Sequence, residues 1–151
     1  MDGIVVGVDD SDSSKAALRW ALEEGRLRGV PVNAVHAWQP PLASPVVDVG
    51  PVSGPMVDVP VVIEKAKEAA EELVERVVQG VAAEASGVEV RPAAIEGSPA
   101  SALVEAAEGA DLLVVGSRGL GGFKGLVLGS VSHQMASHAP CPVVIYRTAS
   151  A

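Results

Sequence analysis

Valine-rich runs set the rhythm of this chain. Short apolar stretches recur at Gly3 to Val8, Val32 to Trp38, Val88 to Ile95, Asp111 to Val115 and Pro142 to Tyr146. Largely apolar runs of this length predict strands covered on both faces. Between them the period changes to that of a helix. Ser14 to Arg28 places Ala17, Leu18, Ala21, Leu22 and Gly25 on one side, with Gly29 where a C-cap glycine belongs. Val61 to Ala85 repeats Val62, Ala66, Ala69, Leu73, Val77 and Val81 and is the clearest helix. Its polar side carries Lys67–Glu71 and Glu72–Arg76 at i,i+4 spacing, worth roughly 0.2–0.5 kcal/mol each, the pattern of a solvated face. Ser98 and Pro99 open a third helix as N-cap and first turn, ending near Gly109, and Ser130 to His138 is a fourth.

Strands alternating with helices predict an α/β fold: an open five-stranded parallel sheet with helices on both faces, Rossmann-like, forming one domain over residues 1–151. Ligands in such sheets bind beyond the carboxyl ends of the strands. The first strand ends at Asp9-Asp10-Ser11 and the fourth at Gly116-Ser117-Arg118-Gly119. If those strands are neighbours, the two loops meet at one crevice. Residues 39–60 break the rhythm. They hold Pro40, Pro41, Pro45, Pro51, Pro55 and Pro60, six of the chain's eleven prolines, and are expected to lack regular structure. A loop so long is read first as a solvated insertion and second as a lid over a ligand.

Composition narrows the function classes. Hydrophobic residues make up 48% of the chain and aromatics 3%, so the core must be built from Val, Ala, Leu and Ile. A formal net charge of −8 without a basic block argues against nucleic acid and anionic membrane as partners. One cysteine, Cys141, excludes a disulfide framework and is read as a small buried hydrophobe. Met1-Asp2-Gly3 is acidic where a signal peptide is basic, and no apolar run has the ~18 residues of a membrane span, so a cytoplasmic protein is expected.

The chemistry concentrates in the second half. Gly116-Ser117-Arg118-Gly119 follows a strand, and Gly129-Ser130-Val131-Ser132 opens a helix nine residues later. A helix N-terminus presents unpaired N–H groups and a partial positive charge, glycines let the backbone close on an anion, and Ser130 and Ser132 add hydroxyls. The expectation is a phosphate cradle. It is not a Walker A loop, because Lys124 is followed by Gly125, and the first strand leads into Asp9-Asp10-Ser11 rather than a dinucleotide fingerprint.

The spacing Gly116-x2-Gly119-x9-Gly129-Ser130 resembles that of the universal stress protein family. So do the opening Val5-Val6-Gly7-Val8-Asp9-Asp10-Ser11, Val35-His36-Ala37, Gly97-Ser98-Pro99 and the ending His138-Ala139-Pro140-Cys141-Pro142-Val143-Val144-Ile145. The resemblance covers essentially the whole chain. It implies an adenine nucleotide alpha hydrolase-like fold, the ATP-binding branch of the family, and a homodimer paired through the last strand, Pro142 to Tyr146. Carried onto this sequence, the ligand positions are Gly7, Val8 and Asp9 at the end of strand one, Asp9 lying near ribose and phosphate. The Ala37 backbone would meet adenine. Val115, Gly116, Arg118 and Gly119 would follow ribose and phosphates, and Gly129, Ser130, Val131 and Ser132 would hold the phosphates.

Among these residues Asp9 is the candidate magnesium ligand, acting together with ATP phosphates, with a turn or cap role as its alternative. Asp10 reads as structural. Arg118 is evenly a phosphate partner or a surface arginine. Lys124 reads as a solvated loop charge, His36 as a packed or hydrogen-bonded strand histidine, and His133 and His138 as lacking metal spacing. Trp20 and Trp38 read as packing residues, with Trp38 a possible border of the ligand. No residue is plainly an activated base, so no catalytic residue is assigned. The function expected is an ATP-dependent stress-response switch. Its alternatives are a slow ATP hydrolase or phosphoryl-transfer enzyme, and a dimeric interaction protein that binds no nucleotide.

Overall fold

The computed structural model describes residues 1–41, 58–83, 87–120, 125 and 127–148. Most of the Pro-rich stretch, and Lys124, lie outside the described residues. The elements run β1 (Ile4–Gly7), α1 (Asp12–Arg28), β2 (Val32–Trp38), α2 (Val59–Ala82), β3 (Val90–Glu96), α3 (Pro99–Ala107), β4 (Leu112–Gly116), α4 (Ser130–His138) and β5 (Val143–Tyr146). The strands form one parallel sheet in the order β3-β2-β1-β4-β5. The first and fourth strands are therefore neighbours, and the loops that follow them share the carboxyl end of the sheet.

Strand alternation sorts the core into two layers. Ile4 and Val6 of β1 face α1 and α2, where Leu18, Leu22, Val74 and Val77 are buried. Val5 faces the other way, toward Leu103, Ala106 and Met135 of α3 and α4. Burying each Val or Leu contributes about 1.5–3 kcal/mol, so two aliphatic layers hold the sheet with no fully buried aromatic side chain among the described residues. Trp20 packs, partly buried, against the α1 and α2 layer.

Local chemistry decides where the helices begin and end. α1 starts two residues before the expected Ser14, because Ser11 is its N-cap: Ser14 N–H donates to Ser11 Oγ at 3.1 Å. It stops at Gly29, whose φ of 68° suits glycine and whose N–H returns to the Gly25 carbonyl. α2 starts two residues earlier than expected, since Pro60 is tolerated in the first turn of a helix. Its helical span ends at Ala82 with Ala83 as C-cap, and positions 84 and 85 of the expected helix lie outside the described residues. β3 begins at Val90 rather than Val88, following Gly87 with its φ of 87°. Lys67 and Glu71 pair at 3.9 Å, whereas Arg76, expected to serve Glu72, reaches Asp10 at 3.5 Å. Cys141 is half-buried rather than buried, and burial pushes its thiol pKa up.

Candidate functional site

Every strand of a parallel sheet points its carboxyl end the same way, and here that end opens into a cavity of about 550 Å³. All twelve positions carried over from the sequence lie on its walls: Gly7, Val8, Asp9, Ala37, Val115, Gly116, Arg118, Gly119, Gly129, Ser130, Val131 and Ser132. Six others join them: Ser14, Val35, His36, Pro99, Leu103 and Leu120. Trp38 is not among the lining residues.

One end of the cavity is the start of α4. The first intrahelical bond runs from His133 N–H to the Gly129 carbonyl at 3.0 Å, which leaves the N–H groups of Ser130, Val131 and Ser132 with no helical acceptor. Three donors and the positive end of the helix thus meet at one wall. The Ser117 carbonyl braces this arrangement. It accepts from Gly129 N–H at 2.7 Å and from the Ser132 hydroxyl at 3.1 Å. The Ser132 hydroxyl also lies 3.0 Å from the Gly129 carbonyl, and the side chain is only 2% exposed. That corrects one expectation: Ser132 spends its hydroxyl on the backbone, while Ser130 is exposed and lines the cavity.

Asp9 ties the two loops together. One carboxylate oxygen accepts from the Ser11 N–H at 3.1 Å and the Ser11 hydroxyl at 2.5 Å. The other accepts from Leu120 N–H, at the far end of the glycine segment, at 3.0 Å. Asp9 therefore has the turn role that was its alternative, together with a strap across the crevice. Asp10 takes φ 67°, turns its side chain away, and pairs with Lys15 at 2.7 Å and with Arg76. The Lys15 hydrogen bond, with the charges of Lys15 and Arg76 behind it, holds the Asp10 carboxyl below the ordinary aspartate range. Arg118 is exposed and is the one cationic side chain among the described residues lining the cavity.

The other end is apolar and backbone-lined. Val35, Leu103 and Val115 form its floor, and Gly7 makes room for Leu103, whose Cδ1 lies 3.0 Å from where a Cβ would stand. Here the ladder between β1 and β2 stops. Val8 N–H donates to the Val35 carbonyl at 2.9 Å, and the register ends with Gly7 opposite Val35. The next rung would join Ala37 N–H to the Val8 carbonyl. That carbonyl instead accepts from His36 Nδ1 at 2.8 Å. Because a carbonyl only accepts, Nδ1 carries the proton. Ala37 lies two residues beyond Val35, so its peptide groups face the same side, where β1 has ended.

The residues missed from sequence are of two kinds. Val35, Leu103 and Leu120 are ordinary aliphatics whose role depends on where the chain folds. Pro99 and Ser14 had a usable signal, since both stand in the first turn of a helix whose N-terminus reaches the same end of the sheet as α4. Among the described residues, no three carboxylate, imidazole or thiol groups come together as a metal centre.

The sequence profile of the Universal stress protein family matches residues 1–147. A universal stress protein of Mycobacterium tuberculosis is 34% identical over 145 residues, covering 95% of this chain and 43% of the relative. The chain spans less than half the length of that relative. Among solved structures, a universal stress protein in complex with cAMP is 25% identical, with a TM-score of 0.69 and 98% of both chains covered. The universal stress protein from Archaeoglobus fulgidus in complex with dAMP is 28% identical, with a TM-score of 0.61 over 96% of this chain and 97% of that one.

Proposed function

The chain belongs to the universal stress protein family, and we propose that its cavity binds an adenine nucleotide, with ATP the ligand and the protein acting as a nucleotide-dependent switch. The observation that carries this reading is the wall of three N–H groups at Ser130, Val131 and Ser132 with no acceptor among the described residues, in one cavity with the Ala37 backbone. The first suits phosphate and the second suits the edge of a base. The two solved relatives described with cAMP and dAMP support the same class of ligand.

Magnesium fits only as a companion of the phosphates. Asp9 is the carboxylate that would hold it, helped by phosphate oxygens and water, and the ion would offset the charge of a triphosphate. The switch follows from the strap. Asp9 holds Leu120 through a single N–H bond. A ligand that competes for Asp9 or pulls on the glycine segment shifts the position of Leu120, which is 73% exposed and available to a partner. A ligand achieves this only through different affinities for the two positions. Hydrolysis is the weaker reading, because Asp9 is the sole carboxylate among the described lining residues and is already committed to the strap and, in this reading, to the ion.

The dimer belongs to the same proposal. β5 is an edge strand, and Val143 to Tyr146 are all half-buried, as expected of apolar side chains that a two-fold partner would cover. No helix among the described residues is long and apolar enough to cross a membrane. Adenine nucleotides are intracellular metabolites, so a cytoplasmic location goes with this reading.

Calorimetric titration of ATP, AMP and cAMP, with and without magnesium, into the wild type and Gly119→Val is the test. A Cβ at Gly119 would stand 2.6 Å from Asp9 Oδ2, so the variant forces the strap open. Binding to the wild type that is lost in the variant is the expected result. Absence of binding to either protein, for all three nucleotides, would overturn the reading.

A further inference from the structure

We propose that His36 is a positioning residue for the nucleobase: by holding the Val8 carbonyl it keeps the Ala37 N–H open to the ligand. The inference rests on the adenine-nucleotide reading and adds to it the residue that prepares the base-facing edge.

Two features end the β1–β2 ladder at this point. The turn built on Asp9 and Ser11, with Asp10 at φ 67°, leads the chain away from β2. That leaves the Val8 carbonyl at the sheet's end with two candidate donors, the Ala37 N–H and the imidazole of the intervening residue. The imidazole takes it, at 2.8 Å. The ladder carries no rung between Val8 and Ala37, and both residues line the cavity. A half-buried carbonyl left without a donor is costly, so without the ring the Ala37 N–H becomes the nearest replacement.

The consequence is chemical selectivity. An unpaired peptide N–H reads an acceptor. Adenine presents a bare ring nitrogen at N1, whereas hypoxanthine carries a proton there. A free Ala37 N–H therefore adds to the preference for AMP over IMP, and an Ala37 N–H consumed by Val8 loses that contribution. His36 need not touch the nucleotide for this; it acts through the carbonyl it occupies.

The test compares the wild type with His36→Phe, which keeps a ring without a donor, and His36→Asn, whose side-chain amide restores one. AMP and IMP are titrated calorimetrically, and amide hydrogen exchange is followed at Ala37 without ligand. The expected result for His36→Phe is an AMP affinity lower by about tenfold, the scale of one hydrogen bond, with the AMP-over-IMP preference reduced by a similar factor. In the same variant the Ala37 amide becomes protected from exchange. His36→Asn keeps affinity, preference and fast exchange. A His36→Phe protein that melts like the wild type yet binds AMP with unchanged affinity and preference overturns the inference while leaving the nucleotide reading intact. If the wild type binds no adenine nucleotide, that reading has failed. The exchange comparison then still decides whether His36 keeps the amide open, and unchanged exchange at Ala37 overturns that as well.

Discussion

Gly116, Gly119 and Gly129 share one motif, but a side chain at each would meet a different obstacle. At Gly116 a Cβ would stand 2.5 Å from Ser13 Oγ and 2.9 Å from the Ser13 carbonyl carbon, so the end of β4 packs directly on the start of α1. At Gly119 the obstacle is the movable carboxylate of Asp9. At Gly129 the φ is an ordinary −74° and the nearest atom is 3.4 Å away, so the protein itself has room for a methyl group. Gly116→Ala is therefore expected to lower stability by about 1–3 kcal/mol in urea unfolding. Gly129→Ala should change stability by no more than about 1 kcal/mol while weakening nucleotide binding in calorimetry. Equal loss of stability in both would remove the distinction. The motif was legible in the sequence because glycine spacing survives without coordinates. The inward turn of the Ser132 hydroxyl was not, because it depends on where Ser117 lies after folding.

At the scale of elements, the segment between β1 and α1 does most of the joining. Ser11 caps α1 and also donates to Asp9. Ser11→Ala should cost about 1 kcal/mol of stability from the cap alone, and nucleotide affinity should fall with it as Asp9 loses a partner. Unfolding curves and titrations on one preparation would check both. Asp10 links the same segment to α2 through Arg76. Its carboxyl pKa is lowered in the folded chain, chiefly by the Lys15 hydrogen bond and less by Arg76, so these pairings add stability at neutral pH and lose it as pH falls through the depressed value. Asp10→Asn should flatten that part of the acid unfolding profile, and an unchanged profile would assign the acid sensitivity elsewhere. Sequence reading located every strand and helix among the described residues, because Val-rich runs and helical periodicity are local. It misplaced the start of α2, since Pro60 looked like a breaker but serves in a first turn. It also gave Arg76 to Glu72, because spacing along a helix cannot show a partner from another element.

At the scale of the whole molecule, the exposed side of β5 is the open question of assembly. Leu113 N–H donates to the Pro142 carbonyl and Ser117 N–H to the Tyr146 carbonyl, so the intervening Val143 and Ile145 present their peptide groups outward. Ile145→Pro removes one outward donor without touching the β4 ladder. It should give monomers in sedimentation equilibrium with the fold retained, and an unchanged oligomer would place the interface elsewhere. The expected dimer rests on the family resemblance and not on local pattern, since an apolar run looks the same whether a helix or a second copy covers it. The bracing by Ser117 has a wider consequence. One carbonyl pins both ends of the segment between Arg118 and Leu128, so the cradle is dimensioned by its fastening and not by the length of chain that runs between. Doubling that length costs only about 0.6 kcal/mol of closure entropy. Apart from Gly119 and Leu120, which the Asp9 strap engages, the connection is thus open to change in length and sequence, and one frame of the proposed anion site can be fitted to different partners.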